Sequence, residues 1–125
     1  ILFHKDGGLT YASAGHVPCL AMRPGSSQTV SLAAQELPMG MVDGVVMLET
    51  RCAVRSGDKL LLYTDGITEA RGADGEDYGL PRLALVVEEH LSRPPDEILE
   101  HIKTDLYSFT NDFQDDVTAL VLEMP

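Results

Sequence analysis

Apolar and polar positions fall into several short blocks along this chain. Residues 1–4 and 9–14 are apolar or alternating and flank Lys5-Asp6-Gly7-Gly8, a glycine-rich turn signal, so they predict a hairpin. Val17–Met22 and Thr29–Leu32 read as two further strands, separated by a turn at Arg23–Gln28. Ala33–Gly44 follows neither a strand nor a helical period and predicts an ordered loop, with Met39 and Met41 beside Gly40 filling a gap in the core. Residues 45–54 alternate, with Leu48, Thr50, Cys52 and Val54 on one face and Glu49 and Arg51 on the other, as in a half-exposed antiparallel strand. Lys59–Thr64 does not alternate. Its run Leu60-Leu61-Leu62-Tyr63 predicts a strand buried on both faces, and it stops abruptly at Asp65-Gly66.

The period then changes. After a stretch too rich in Gly and Asp for regular structure, Leu80, Leu83, Val87 and Leu91 recur at helical spacing, with Pro81 suited to the first turn. Ile98, Ile102, Leu106 and Phe109 make a second stripe, with Asp96 and Glu97 near its N-terminus, where the helix dipole favours acids. Val117–Leu122 closes the chain as another apolar strand. Antiparallel strands, two helices packed on one face and a final strand make an α+β fold.

Composition narrows the possible chemistry. The chain has 125 residues, enough for one modest core, and 20 Asp and Glu against 9 Lys and Arg give a net charge of -11. That balance argues against nucleic acid, whose phosphates need a basic surface. It suits acidic groups that hold hard cations, although most of them serve as solvated surface. Cys19 and Cys52 show no metal-site spacing and read as reduced, buried thiols, which with the lack of a membrane-length apolar run or a signal peptide suggests a cytoplasmic protein. The chain opens on Ile1-Leu2-Phe3, already strand-like, and is expected to be a piece of a larger protein.

Asp65 stands where one apolar strand ends, and Asp115 and Asp116 stand where another begins. Each is an ordinary turn or connection on its own. If the two strands are antiparallel neighbours, the ends coincide and three carboxylates meet at one sheet edge. Like charges so placed raise one another's pKa unless a cation such as Mg²⁺ or Mn²⁺ neutralises them. Gly66, lacking a Cβ, would admit a close backbone approach. Glu97 and His101 are also four apart on one helix, but without a third ligand they read as a solvated pair.

Four segments, Tyr11–Pro18 (YASAGHVP), Leu37–Gly40 (LPMG), Leu60–Ala70 (LLLYTDGITEA) and Gln114–Leu122 (QDDVTALVL), follow in an order that covers essentially the whole chain. Together they resemble the C-terminal part of a PPM-type, metal-dependent serine/threonine phosphatase domain, of the bacterial branch typified by SpoIIE and RsbU. The resemblance implies an α/β/β/α sandwich in which Asp65 and Asp115 bind one metal ion of a binuclear Mn²⁺ or Mg²⁺ pair that activates water for attack on phosphorus. Asp116 would lie beside the ligand, Thr118 would support its turn, Glu69 would anchor the turn beyond Asp65, and His16 would brace the neighbouring strand more readily than assist a leaving group. It further implies a phosphorylated regulatory protein as substrate, of the anti-sigma-factor antagonist type, and a sensory or receiver domain upstream. A homodimer is compatible with it, and neither nucleic acid nor membrane insertion is expected.

One family element has no counterpart. A complete domain of this kind begins with another Asp-Gly motif whose Asp bridges the two metals, and Asp6-Gly7 falls instead in the first hairpin. The resemblance therefore implies that residues 1–125 are the C-terminal portion of one domain, with its N-terminal part expected upstream of Ile1. The isolated chain is expected to bind Mn²⁺ weakly and to turn over little. The rivals are a non-catalytic interaction module of the same fold and a mononuclear Ca²⁺ or Mg²⁺ binding domain.

Overall fold

The structure, a computed structural model, describes residues 1–26, 29–33, 36–44 and 46–125. Two antiparallel sheets stack face to face. The smaller has the order β1-β2-β5, from β1 (Leu2–Phe3), β2 (Gly8–Tyr11) and β5 (Thr50–Ala53). The larger has the order β4-β3-β6-β7, from β3 (Cys19–Met22), β4 (Thr29–Leu32), β6 (Lys59–Tyr63) and β7 (Ala119–Glu123). A single turn, α1 (Asp65–Thr68), and two long helices, α2 (Gly79–Glu89) and α3 (Pro95–Phe109), complete the chain.

β6 is the hinge of this arrangement because side chains alternate across a strand. Leu60 points between the sheets, where it joins Leu9, Tyr11, Leu32 and Met124. Leu61 and Tyr63 point the other way, into a core shared with Leu83 and Val87 of α2 and Ile98, Ile102 and Leu106 of α3. Leu60 and Leu61 are 0% and 1% exposed, so the unbroken apolar run is explained by burial on both faces. Each such leucine is worth roughly 1.5–3 kcal/mol of burial. The α3 boundaries follow local chemistry: Pro95 fills the first helical position, and Asp96 and Glu97 occupy the positive end of the helix.

The end of β6 nearer the chain start is fixed by charge. Arg23 grips Asp58 through two hydrogen bonds of 2.8 and 2.7 Å, and the buried Lys59 reaches Glu123 at 2.7 Å. The opposite end is fixed by register. Tyr63 pairs with Ala119 and Leu61 with Val121, so β6 leaves the sheet where β7 enters it.

Several expectations change. Instead of ten residues, the strand over 45–54 is four, Thr50–Ala53, because its partner β2 ends at Tyr11, which pairs with Thr50. Leu48 is left exposed, and Val45 lies outside the described residues. Met39 and Met41 do not fill a core gap. They are 83% and 66% exposed, since Leu9, Tyr11, Leu32, Leu60 and Met124 already close the space between the sheets. Ala34 and Gln35 of that loop, and Ser27 and Gln28 of the turn before β4, lie outside the described residues. A third helix, α1, occurs where the pattern suggested only a turn, because Ile67 is drawn fully into the helical core. Both cysteines are free and half-buried, and burial pushes the Cys19 thiol up to about 11. Among the described residues no helix is long and apolar enough to cross a membrane.

Candidate metal centre

The two aspartates reach the same edge through backbone contact. Gly66 is buried against the entry to β7: a Cβ there would lie 2.5 Å from the Asp116 carbonyl oxygen and 3.2 Å from the Asp115 carbonyl carbon. Its backbone is not in the left-handed region, so the requirement for glycine is steric. The neighbouring Thr64, which precedes α1, locks the contact. Its hydroxyl donates to the Asp116 carbonyl at 2.7 Å and accepts from the Thr118 N–H at 3.0 Å, while its own N–H donates to the Thr118 carbonyl at 3.0 Å.

Each carboxylate is oriented by the amide that follows it. Asp65 Oδ1 accepts from the Gly66 N–H at 3.1 Å, and Asp115 Oδ1 from the Asp116 N–H at 2.7 Å. Both side chains are exposed. Asp115 and Gly66 line an open cavity of about 1030 Å³, whose other walls come from the segment after α1 and the end of α3. Asp115 is among the residues that line this cavity and Asp65 is not, yet both are hard oxygen donors whose backbones are brought together by the slot that only glycine can fill. They fit part of a site for a divalent cation. Among the described residues no group of three or more His, Cys, Asp or Glu is arranged to hold a metal. The three-carboxylate cluster expected from the strand ends is therefore not formed. Although Asp116 is adjacent in sequence, what it presents to the contact is its carbonyl.

The remaining residues separate clearly. Glu69 closes α1, its N–H donating to the Asp65 carbonyl at 2.8 Å, and it lines the same cavity. Thr118 supports the turn through its backbone. His16 is exposed, with Nδ1 2.8 Å from the Val17 carbonyl oxygen, and lines a different cavity, of about 320 Å³, with Tyr11, Met39 and Leu62. Its loop leans on the loop from Glu36 to Pro38, through the Gly15 N–H to Glu36 carbonyl bond of 2.9 Å. His101 stacks on His90 with 3.6 Å between ring centroids, and Glu97 pairs with Arg93.

Two features escaped the sequence pattern. Thr64 was part of a recognisable segment, yet nothing in a lone threonine announces a hydroxyl bridging residues 52 and 54 positions away. Behind the cavity, Asp105 accepts two bonds from Arg82 and one from the Tyr78 hydroxyl, with the Arg82 guanidinium over the Tyr78 and Phe109 rings. Arg82 holds the Asp105 carboxyl below the usual carboxylate range, while burial, and then Asp105, push the Tyr78 phenol up.

A sequence model of the Stage II sporulation protein E (SpoIIE) family matches residues 1–125. The chain belongs to the SpoIIE family. It is 32% identical over 115 residues to the phosphoserine phosphatase RsbU of Bacillus subtilis, covering 90% of this chain and 34% of RsbU. Among solved structures it is similar to the RsbU and RsbW domains of a Mycobacterium tuberculosis protein, with TM-score 0.76 and 28% identity over 94% of this chain and 32% of that one. The SpoIIE structure from Bacillus subtilis that comprises its PP2C phosphatase domain and a regulatory fragment shares the fold, with TM-score 0.78 and 19% identity over 96% of this chain and 35% of that one. The chain thus spans about a third of the length of these relatives.

Proposed function

We propose that this chain is the C-terminal portion of a PPM-type protein phosphatase domain that hydrolyses phosphoserine or phosphothreonine on a regulatory protein. The observation that carries the reading is the Gly66–Asp116 contact, which sets Asp65 and Asp115 on adjoining loops at one end of the β6–β7 pair. Membership of a family with a phosphoserine phosphatase among its relatives supports it.

In this reading Asp65 and Asp115 hold a Mn²⁺ or Mg²⁺ ion, which when bound supplies Lewis acidity and lowers the pKa of water. The protein's part is positional. Thr64 and Gly66 keep the two carboxylates from drifting apart, and the buried β6 gives them a rigid base. Asp116, Thr118 and Glu69 secure the two turns. The substrate is of the anti-sigma-factor antagonist type, the setting is the cytoplasm, and a sensory or receiver domain lies upstream. The RsbW domain carried by a structural neighbour supports such modular association.

The test is Mn²⁺-dependent hydrolysis of a phosphoserine peptide by the protein extended upstream of Ile1, with and without Asp65→Asn. A loss of at least about a hundredfold is expected, since the substitution removes a charged donor to the ion that stabilises developing charge. Unchanged turnover overturns the assignment. The chain as it stands should bind Mn²⁺ weakly and show little hydrolysis. A second reading, a non-catalytic module, is favoured by the lack of a three-ligand group among the described residues. An Asp-Gly motif upstream of Ile1, in a domain of full length, argues against it.

A further inference from the structure

Three of the six arginines are held at short range by carboxylates of the fold. Arg23 holds Asp58, and Arg82 holds Asp105, each by two hydrogen bonds of 2.7–2.9 Å, and Arg51 pairs with Asp6. Arg71 differs. Its Nε lies 3.4 Å from Asp77 Oδ1, longer than an ordinary N–H···O bond, and both side chains are more than half exposed. Such an exposed, long pair contributes about 0–1 kcal/mol and is readily exchanged.

The position of Arg71 is nevertheless well defined by backbone. Arg71 and Asp77 form a bridge at the mouth of a small hairpin, which the Gly72 N–H closes on the Glu76 carbonyl at 2.9 Å. The Tyr78 N–H bonds the Ala70 carbonyl at 2.8 Å. The hairpin leans on Phe109, to which a Cβ at Gly72 would come within 3.0 Å, and Phe109 is held by Tyr78 and Arg82. A firm scaffold therefore presents a loosely paired guanidinium.

Arg71 lines the cavity that also contains Asp115 and Gly66, and it is the only Lys or Arg among the described residues that line it. The other charged side chains there are Glu69, Asp77, Asp112 and Asp115. In a chain of net charge -11, such a wall repels an anionic substrate. A guanidinium is planar and presents a fork of donors that matches phosphoryl oxygens. We propose that Arg71 is the phosphate-recognising side chain of this cavity, leaving Asp77 to engage the phosphoryl oxygens of the substrate. The assignment rests on the phosphatase reading and adds to it the residue that first grips the phosphate.

The test uses the protein extended upstream of Ile1, with Mn²⁺, p-nitrophenyl phosphate, a phosphoserine peptide, and inorganic phosphate as inhibitor. Arg71→Ala should raise KM for both substrates and Ki for inorganic phosphate by about tenfold or more, with a smaller fall in kcat. Arg71→Lys keeps the charge but loses the fork and should recover part of that loss. Asp77→Asn frees the guanidinium and should lower KM about two- to threefold. If the arginine only holds the hairpin, Asp77→Asn will instead reproduce the Arg71→Ala defect, and the proposal fails. Should Arg71→Ala not fold, Arg71→Lys and Asp77→Asn decide through the phosphate Ki, which must rise in the first and fall in the second. An inactive unsubstituted protein removes the phosphatase reading and this inference together. Active protein with Arg71→Ala kinetics unchanged removes this inference alone.

Discussion

Two pairs of loops in this molecule meet through a glycine that has no room for a side chain, and they are built differently. At Gly66 the obstacle is backbone, the Asp116 carbonyl at 2.5 Å; at Gly15 it is the Pro38 ring, whose Cγ lies 2.4 Å from where a Cβ would be. The Gly66 contact is tied by three hydrogen bonds through Thr64 and hangs from β6 and β7, which pair over five residues. The Gly15 contact is tied by one backbone bond and an isolated bridge, and it adjoins the exposed Met39 and Leu37. The first pair holds candidate ligands in place, whereas the second carries His16 on a surface that can yield.

The largest expected effect comes from filling the first slot. Gly66→Ala should destabilise the chain by about 3 kcal/mol, because a carbonyl in a packed turn cannot move aside as a side-chain tip can. Chemical denaturation measures the stability, and a fall of more than about tenfold in Mn²⁺-dependent turnover of the upstream-extended protein should accompany it. A cost below about 0.5 kcal/mol would show that the two loops are not in fact wedged together.

Thr64→Val, nearly isosteric, should cost about 2 kcal/mol through the loss of two hydrogen bonds worth about 1 kcal/mol each, since the exposed Asp116 carbonyl and Thr118 N–H are then taken up by water. Thr64→Ser keeps the hydroxyl and should recover most of it. If valine and serine behave alike, the hydroxyl bonds do not secure this end of β6.

The both-face burial of Leu60–Tyr63, the stripes of α2 and α3 and the adjacency of Asp65 to the start of β7 were readable, because each depends on local periodicity or on a strand end. The alternation over residues 45–54 runs past the Thr50–Ala53 strand because alternation reports a willingness to pair, while the length of a strand is set by its partner. Methionine beside glycine suggests a filled gap at Met39 and Met41, but whether a gap remains depends on residues distant in sequence. The Thr64 bridge and the Arg82–Asp105–Tyr78 cluster are likewise long-range, and no local pattern encodes them. The candidate site was legible only as far as its residues end strands.

Gly15→Ala sharpens the contrast between the two glycines. Gly15 has φ +75°, where an L-residue costs about 1–2 kcal/mol, and its obstacle is a ring on an exposed loop. The substitution should cost about 1.5 kcal/mol, and pairing it with Pro38→Ala should return only the steric share. Turnover in the upstream-extended protein should fall far less than with Gly66→Ala. A larger loss of activity from Gly15→Ala would reverse the ranking and bring His16 into the chemistry.

The smallest effect tests the other end of β6, which is held by charge where the site end is held by neutral hydrogen bonds. The Arg23 guanidinium, and then the Arg55 N–H, keep the Asp58 carboxyl below its ordinary value of 3.8 against the opposing effect of burial. The folded protein therefore binds that proton more weakly than the unfolded chain does. Its contribution is full above about pH 5 and drains away as the pH falls through the depressed folded-state value. Asp58→Asn should cost about 1 kcal/mol at pH 7, allowing for the partial exposure of Arg23. The gap should close as unfolding is measured at successively lower pH, toward about pH 2. The Thr64→Val deficit contains no titrating partner and should stay nearly constant over the same range. If both deficits shrink in parallel with acid, the two ends of β6 do not differ in the way the structure assigns, and the separation of a charge-held end from a hydroxyl-held site is wrong.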